Sequence, residues 1–206
     1  MTEKERMEAG LLYDPGKPEF LEKQAVLNEN LHKFNMLLPS QREEQQKYMK
    51  EVFAECGDNV FIQRPFYANW GGHHVHLGSN VYANFGVTFV DDTHIYIGSG
   101  TMLAPNVIIA TAGHPIDPEL RSRALQYNMP VRIGNNCWLG AGVIVMPGVT
   151  IGDNTVIGAG SVVTKDIPSG VVAVGNPCRV IREVGEHDRE FYFRDRRIDP
   201  EIFEKK

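Results

Sequence analysis

The sequence lacks the features of several protein classes. It has no apolar run of the roughly 18 residues that a membrane-spanning helix needs, and its first twenty residues are too charged for a secretion signal. Lysine and arginine together number 21 against 26 aspartates and glutamates, so no basic surface for nucleic acid is expected. We therefore expect a protein that engages neither a membrane nor nucleic acid.

Cysteine is also scarce. Cys56, Cys137 and Cys178 are the only three, and no two of them form a CxxC pair. An odd, scattered set favours inert thiols in a reducing cytoplasm over a disulfide framework. The 206 residues, 42% of them hydrophobic and 23% charged, suffice for one globular domain of ordinary composition with a small appendage.

What the chain has in abundance is a six-residue repeat of aliphatic or small residues. Two extra residues shift its phase once, and it is interrupted once for about twenty residues. A period of six matches neither the 3.6-residue repeat of a helix nor the alternation of a long strand. The repeat positions are Leu77, Ala83, Phe89, Ile97, Leu103, Ile109, Ile133, Leu139, Val145, Ile151, Ile157 and Val163.

Short strands joined by tight corners explain such a period. Three strands, each pointing one repeat residue inward, make a triangular coil of about 18 residues, and stacked coils bury a continuous column. Gly and Asn in "IGDN", "IGNN" and "IGAG" suit corners with positive φ or close backbone approach. The repeat therefore predicts a parallel β-helix; a β-sandwich would need longer strands with strict in–out alternation.

Residues 1–57 show a helical pattern instead. Pro18 suits a first helical position, and Leu21, Ala25, Leu31, Phe34 and Leu38 form a stripe after it. A capping box at residues 40–43 predicts a second helix, with Tyr48, Val52 and Phe53 on one face and Gly57 at its end.

The predicted organisation has three parts. Two short N-terminal helices occupy residues 1–57, and the β-helix occupies residues 58–184, with an extended loop at 112–130. A charged tail follows at 185–206. Because a solenoid needs its ends covered, we expect the helices and the tail to act as caps.

Four stretches carry a resemblance to a known family. "NVYANFGVTFVDD", "TAGHPIDPELR", "CWLGAGVIVMPGVTIGDNTVIGAGSVVTKDIP" and "VGNPCRVIRE" resemble the galactoside and maltose O-acetyltransferases, within the wider hexapeptide-repeat acyltransferases. The resemblance implies a left-handed β-helix and a homotrimer with an active site at each subunit interface. It also implies acetyl-CoA as donor and a galactoside, maltose or glucose as acceptor.

The resemblance assigns roles to individual residues. His114 would be the catalytic base, since histidine has the pKa best suited to taking a hydroxyl proton and returning it to the leaving thiolate. The acceptor contacts would be Asp14, Asn69, Asn84 and Asp92. The acetyl-CoA contacts would be Asn84, Trp138, Gly140, Ala141, Gly158, Ala159, Thr164, Lys165, Arg179 and Arg182.

Other functions remain open on the residues alone. A related acetyltransferase acting on an antibiotic or on serine, a non-catalytic scaffold and a metal-dependent hydratase all share this repeat. The cluster His73, His74 and His76 could suggest a metal site, but zinc needs three convergent ligands. The hexapeptide carbonic anhydrases place a histidine five residues after another, where this chain has Glu119 after His114. We expect no metal.

Overall fold

Very short strands wound into a three-sided coil form the body of the protein in a computed structural model, which describes residues 1–203. The predicted tail thus extends three residues past the described ones. The strands are β1 (Glu55–Cys56), β2 (Phe61–Ile62), β3 (Tyr67–Ala68), β4 (Val75–Leu77), β5 (Tyr82–Ala83), β6 (Thr88–Val90), β7 (Ile95–Ile97), β8 (Met102–Leu103), β9 (Ile108–Ala110), β10 (Ala112–Gly113), β11 (Tyr127–Asn128), β12 (Val131–Ile133), β13 (Trp138–Leu139), β14 (Ile144–Val145), β15 (Thr150–Ile151), β16 (Val156–Ile157), β17 (Val162–Val163), β18 (Val171–Val174), β19 (Arg179–Glu183), β20 (Phe191–Phe193) and β21 (Arg196–Arg197).

The chain visits three sheets in turn, and each sheet forms one face of a prism. The first face is β1-β4-β7-β12-β15, the second is β2-β5-β8-β13-β16-β18-β19, and the third is β3-β6-β9-β14-β17. All neighbouring strands in these faces pair in parallel except β18 and β19. The predicted mainly-β fold, a parallel β-helix built from hexapeptide repeats, is confirmed.

The repeat residues form the core. Leu77, Ile97, Ile133 and Ile151 stack in register on the first face, and corresponding stacks run along the other two faces. All twelve repeat positions are buried. Each fully buried Leu, Ile, Val or Phe side chain contributes about 1.5–3 kcal/mol, so the column is a major source of hydrophobic stabilisation.

The corners use the residue types that the repeat predicted. Asn136 and Asn154 adopt positive φ values of 52° and 56°, and the Asn136 side chain donates to the Asn154 side chain one coil further on, at 3.3 Å. At Gly98 the constraint is space: a Cβ there would lie 2.6 Å from the backbone nitrogen of Asn135. Coils can therefore stack closely only with glycine at that position.

Three helices precede the coils: α1 (Glu3–Glu8), α2 (Pro18–Asn35) and α3 (Arg42–Val52). The sequence interpretation missed α1, although Pro18 does begin α2. The predicted stripe on α2 was partly wrong. Leu31 and Phe34 are buried, but Leu21 and Leu38 are exposed, and Phe20 is buried instead. Helix α2 buries the adjacent face instead, because Phe20 packs within an aromatic cluster that is separate from the main core.

The predicted start and end of α3 were also wrong. Its N-cap residue is Gln41, whose side-chain oxygen accepts from the Leu38 backbone N–H at 2.8 Å, so no capping box forms. The helix ends at Val52, where Phe53 becomes extended and enters the core. Gly57 lies further on, in the first coil, where a Cβ would be 2.6 Å from the backbone nitrogen of Ser79.

The remaining elements lie outside the coils. They include two further helices, α4 (Pro118–Ser122) and α5 (Glu186–Glu190), and a 3-10 helix at Pro200–Phe203. Strands β10 and β11 pair as an antiparallel hairpin in the loop, and β20 and β21 pair in the tail. Within residues 1–203, no helix is both long enough and apolar enough to cross a membrane.

The inward and outward positions of one strand should differ sharply in their effect on stability. Ile151 points into the column, and its neighbour Thr150 is exposed. We expect Ile151→Ala to lower the free energy of unfolding by about 2–5 kcal/mol, because it leaves a cavity in the core. Thr150→Ala should change it by no more than about 0.5 kcal/mol. Urea unfolding at one fixed protein concentration measures both, and equal losses would contradict the inward assignment.

Candidate functional site

Polar residues gather where the third-face strands end. Asn69 follows β3, Asp92 lies just after β6, and the extended loop begins after β9. Because β3, β6 and β9 pair in register, all three positions lie along the same edge of the prism, which we call the loop edge. The register of the coils thus brings together residues that are far apart in the sequence.

The loop is an ordered excursion from the coil. Its two ends pair as the β10–β11 hairpin, with Ala112 opposite Asn128 and Gly113 opposite Tyr127. Its tip contains α4, where the Asp117 side chain caps the helix by accepting from the Leu120 N–H at 3.0 Å. These bonds hold the loop away from the column, and its exposed surface includes Ile116, which is 93% accessible to solvent.

His114 lies at the base of this loop and is exposed to solvent. Its Nδ1 is 2.8 Å from the backbone carbonyl oxygen of Leu125, across the hairpin. A carbonyl oxygen can only accept a hydrogen bond, so Nδ1 carries the proton and Nε2 of the neutral ring keeps its lone pair. The hairpin therefore holds a histidine in the tautomer and orientation that suit a general base.

A buried polar network fastens the loop to the N-terminal segment. The backbone of Tyr13 forms two hydrogen bonds with the backbone of Gln126, at 2.9 and 3.0 Å. The Gln126 side-chain amide donates to the Tyr13 hydroxyl oxygen at 2.7 Å, and the Asn128 amide donates to the same oxygen at 3.1 Å. Burial raises the pKa of Tyr13 to about 12, so its hydroxyl stays protonated. The sequence interpretation did not include Tyr13, Gln126 or Asn128.

Two of the predicted acceptor contacts belong to this network. Asp92 is only 4% exposed, and its Oδ1 accepts from the Gln126 amide at 3.1 Å. Its Oδ2 accepts from the Asn69 amide at 2.9 Å. The structure thus brings Asp92 and Asn69 into direct contact, with the carboxylate held by a donor on each oxygen.

Asp14 is placed differently. Its carboxylate accepts from the Gly16 N–H at 2.9 Å and pairs with Lys17 at 2.9 Å, and the Lys17 hydrogen bond lowers its pKa. No hydrogen bond within the described residues joins its side chain to Asp92 or Asn69. It is the chain neighbour of Tyr13, however, so it lies next to the network without being part of it.

Several of the predicted acetyl-CoA contacts lie along a different edge of the prism. Asn84, Gly140 and Gly158 each follow a second-face strand, and the register of β5, β8, β13 and β16 stacks them in one row. Ala141 and Ala159 form the next row. A Cβ at Gly140 would lie 2.6 Å from the Ala159 nitrogen, so only glycine fits there. We call this the small-residue edge.

Two other features distinguish the small-residue edge. Trp138 lies on the outer side of the second face beside it, between Met102 and Val156, and is 51% exposed. The Asn84 side-chain oxygen accepts from the Phe85 N–H at 2.8 Å, and the amide N–H groups of Asn84 have no partner among residues 1–203. The edge therefore offers an exposed ring and an amide donor beside the small residues of the last two coils.

The remaining predicted acetyl-CoA contacts divide into two groups. Thr164 and Lys165 follow β17 at the end of the third face, and both are exposed. Arg179 and Arg182 lie on β19 at the end of the second face. Arg182 already forms a bidentate ion pair with Asp188, at 2.7 and 2.8 Å. The Asp188 carboxylate is only partly exposed, and the Arg182 hydrogen bond lowers its pKa to about 2, so the pair is a specific contact.

The histidine cluster makes hydrogen bonds of its own. His76 Nε2 is 2.9 Å from His94 Nδ1, and the His74 ring bonds to the Asp91 carbonyl oxygen. Among residues 1–203, no three His, Cys, Asp or Glu side chains are grouped so that they could hold a metal ion.

Known proteins with similar sequences and structures match almost the whole chain. Residues 6–57 match the family model described as "Maltose acetyltransferase hexapeptide capping motif", and residues 130–165 match "Bacterial transferase hexapeptide (six repeats)". A galactoside O-acetyltransferase of Lactococcus lactis is 50% identical over 93% of this chain and 93% of its own length.

Two solved structures extend the similarity to the fold. A galactoside acetyltransferase in complex with coenzyme A is 45% identical and superposes with a TM-score of 0.93, over 97% of this chain and 99% of that one. A maltose O-acetyltransferase from Clostridium difficile is 44% identical, with a TM-score of 0.87 over 90% and 98% of the two chains.

The buried tyrosine hydroxyl should matter for stability. Tyr13→Phe removes the oxygen that accepts from Gln126 and Asn128. The Gln126 amide keeps Asp92 Oδ1 as an acceptor, but one N–H of the buried Asn128 amide loses its partner, which costs about 1–3 kcal/mol. We expect the melting temperature to fall accordingly. Tyr127→Phe, on the same hairpin, is the matched control because the Tyr127 hydroxyl makes no hydrogen bond within the described residues. A Tyr13→Phe protein as stable as this control would show that the network does not fasten the loop.

Proposed function

The chain belongs to the galactoside and maltose O-acetyltransferase family, and from that premise we propose that it transfers an acetyl group from acetyl-CoA to a sugar hydroxyl. The acceptor would be a galactoside, maltose or glucose. The observation that carries this proposal is His114, with a free Nε2 lone pair, on the same edge as the paired Asp92 and Asn69 side chains. That arrangement offers a base beside groups that can hold sugar hydroxyls.

The proposed reaction is a direct transfer. His114 Nε2 takes the hydroxyl proton as the sugar oxygen attacks the thioester carbonyl, and the carbon–sulfur bond breaks when the tetrahedral intermediate collapses. The imidazolium then returns its proton to the thiolate of CoA. The bond from Nδ1 to the Leu125 carbonyl stabilises the charged ring and keeps it oriented. The Asn84 amide is suited to hold the oxyanion, since its N–H groups have no partner within residues 1–203.

The cysteines support attack by the sugar itself over an acetyl-enzyme intermediate. Cys137 and Cys178 are buried, and Cys56 is partly buried. Burial raises the pKa of all three thiols, which keeps them protonated and poorly nucleophilic. Unpaired thiols also agree with a cytoplasmic setting, which we include in the proposal.

The donor would lie along the small-residue edge. The strip around Gly140 and Gly158 lets an extended pantetheine arm approach the backbone, and Trp138 offers an exposed ring beside it. Thr164, Lys165, Arg179 and Arg182 would hold the phosphates.

A homotrimer would unite the two edges. In one chain, the whole width of the third face separates the loop edge from the small-residue edge. The outward residues of that face, which include Thr88, Ile108, Ile144 and Val162, are uncharged. The first face instead exposes Glu55 and Arg132, among others. We propose that third-face packing in a closed threefold ring places His114 against the small-residue edge of a neighbour.

Replacing the base should abolish turnover without affecting the fold. We expect His114→Ala to lower kcat by about 10²–10⁴-fold while leaving the KM for acetyl-CoA and the melting temperature close to those of the parent. His187→Ala, which alters an exposed histidine in the tail, is the matched control and should retain full activity. Thiol release with a panel of sugars measures both. If His114→Ala kept more than about a tenth of the parent kcat, the role of base would be wrong.

Charge on the third face should break the assembly. We expect Ile144→Glu to reduce the mass in solution from three times 23.1 kDa towards a single 23.1 kDa chain, and to reduce activity with it. The reason is that a buried, unpaired carboxylate is unfavourable at an interface. Thr150→Glu, on the first face, should leave the trimer intact. Light scattering measures the mass, and an active parent protein at 23.1 kDa would overturn the proposal.

A further inference from the structure

The charged tail makes a specific contact with the proposed acetyl-CoA site. Arg182 lies on β19, and its guanidinium forms the bidentate ion pair with Asp188 of α5, at 2.7 and 2.8 Å. The proposed function assigns Arg182 to the phosphates of acetyl-CoA. A tail for which the sequence predicted only a capping role therefore reaches a residue of the proposed donor site.

The register of β18 and β19 sets the side on which Arg179 and Arg182 lie. They pair with Val174 and Val172, the outward residues of β18, and a β-bulge lies between the two pairs. Residues three apart on a regular strand would point to opposite sides, but the extra residue of the bulge brings both arginines to the same side. Because directly paired residues share one side of a sheet, both point outward, on the side that carries Trp138.

The guanidinium of Arg182 has five N–H donors, and three of them have partners. Nη1 donates to Asp188 Oδ2 at 2.7 Å and to the Glu183 carbonyl oxygen at 2.9 Å, and Nη2 donates to Asp188 Oδ1 at 2.8 Å. Among residues 1–203, the Nε–H and the second Nη2–H make no hydrogen bond. These two N–H groups are parallel and form one edge of the planar group, which we call the open edge. Such an edge matches two oxygens of one phosphate.

Asp188 is itself held in place. Its Oδ2 accepts from the Gly185 N–H at 2.9 Å, and its backbone N–H donates to the Gly185 carbonyl oxygen at 3.0 Å. The Val184 N–H donates to the Gly170 carbonyl oxygen at 2.8 Å, which ties the start of the tail to the last coil. The hydrogen bond from Arg182 lowers the pKa of Asp188 to about 2, so the carboxylate is ionised near neutral pH. The guanidinium is therefore fixed by a charged group that has its own supports.

An aspartate bound to a phosphate-binding arginine has one of two effects. It competes with the phosphate if both need the same N–H groups, and it orients the arginine if they use different ones. The open edge of Arg182 favours orientation, because a phosphate can bind there while Asp188 keeps both of its bonds. A side chain that is already oriented also loses less conformational entropy when the ligand binds.

We propose that Asp188 is a positioning residue for acetyl-CoA, which holds Arg182 so that its open edge faces the phosphates of the donor. The charged tail thereby contributes to donor affinity, in addition to covering the coil. The inference rests on the proposed function, in which Arg182 is a phosphate contact.

Asp188→Asn tests this role, because it removes the bidentate pair and keeps the size of the side chain. We expect the Kd for CoA and the KM for acetyl-CoA to rise by about 3–10-fold, as for the loss of a hydrogen bond. The kcat and the KM for the sugar should stay close to those of the parent. S-acetyl-pantetheine lacks the nucleotide and its phosphates, so the parent and the variant should use it equally well. An equal loss with both donors would overturn the inference.

Glu186→Gln is the matched control. It removes one negative charge from the same helix, where Glu186 pairs with Arg189 at 3.8 Å on the exposed surface. It should leave the Kd for CoA unchanged. A rise as large as that in Asp188→Asn would show that only the charge of the tail matters, which would also overturn the inference.

A second variant shows whether Asp188 acts through Arg182. Arg182→Ala should weaken the binding of CoA, and the addition of Asp188→Asn to it should have no further effect. A further loss in the double variant would mean that Asp188 supports the site by another route, against the inference. Calorimetry with CoA measures all of these affinities and needs no turnover.

The same titrations separate the inference from the proposed function. If Arg182→Ala binds CoA as tightly as the parent, the proposed phosphate contact is wrong and the role of Asp188 is wrong with it. If Arg182→Ala weakens binding and Asp188→Asn does not, only the inference is overturned. Tighter binding by Asp188→Asn would show that the aspartate competes with the phosphate, which is the opposite of the proposed role.

Discussion

The constraint on which the rest of the structure depends is the register of the stacked coils. Each strand is so short that it buries at most two side chains, so no strand is stable by itself. The column is apolar throughout only if Leu139 lies directly between Leu103 and Ile157, and its counterparts on the other faces do the same. A slip by one residue would turn the buried side chain outward in every coil.

This register also positions the candidate site. Positions that follow the same face in successive coils must lie on one edge, which is why Asn69 meets Asp92 and why Gly140 stacks beside Gly158. The loop makes use of the same rule. Ile109 stacks directly on Val145, and Val145 on Val163, although the first step spans 36 residues and the second only 18. The chain therefore leaves the coil and returns without disturbing the column, and the excursion can carry His114.

The two extra residues in the repeat have a comparable effect. They place two adjacent carboxylates at the loop edge. Asp91 points inward and accepts from the backbone N–H groups of Trp70 and Gly72, and its burial raises its pKa to about 6. Asp92 accepts from Gln126 and Asn69. One carboxylate thus fixes the backbone around Trp70, and the other joins the first coils to the returning end of the loop.

The sequence by itself determined the column and its edges, because a six-residue period is local information that neighbouring residues carry. It predicted all twelve repeat positions, the asparagine corners and the loop. Only the tertiary structure decided which face of α2 is buried, since Phe20 and Leu21 are equally apolar and the choice depends on the aromatic neighbours. Likewise, the bond between Tyr13 and Gln126 joins residues 113 positions apart. Contacts between distant polar side chains leave no periodic signal in the sequence, because each depends on how two separately folded segments meet.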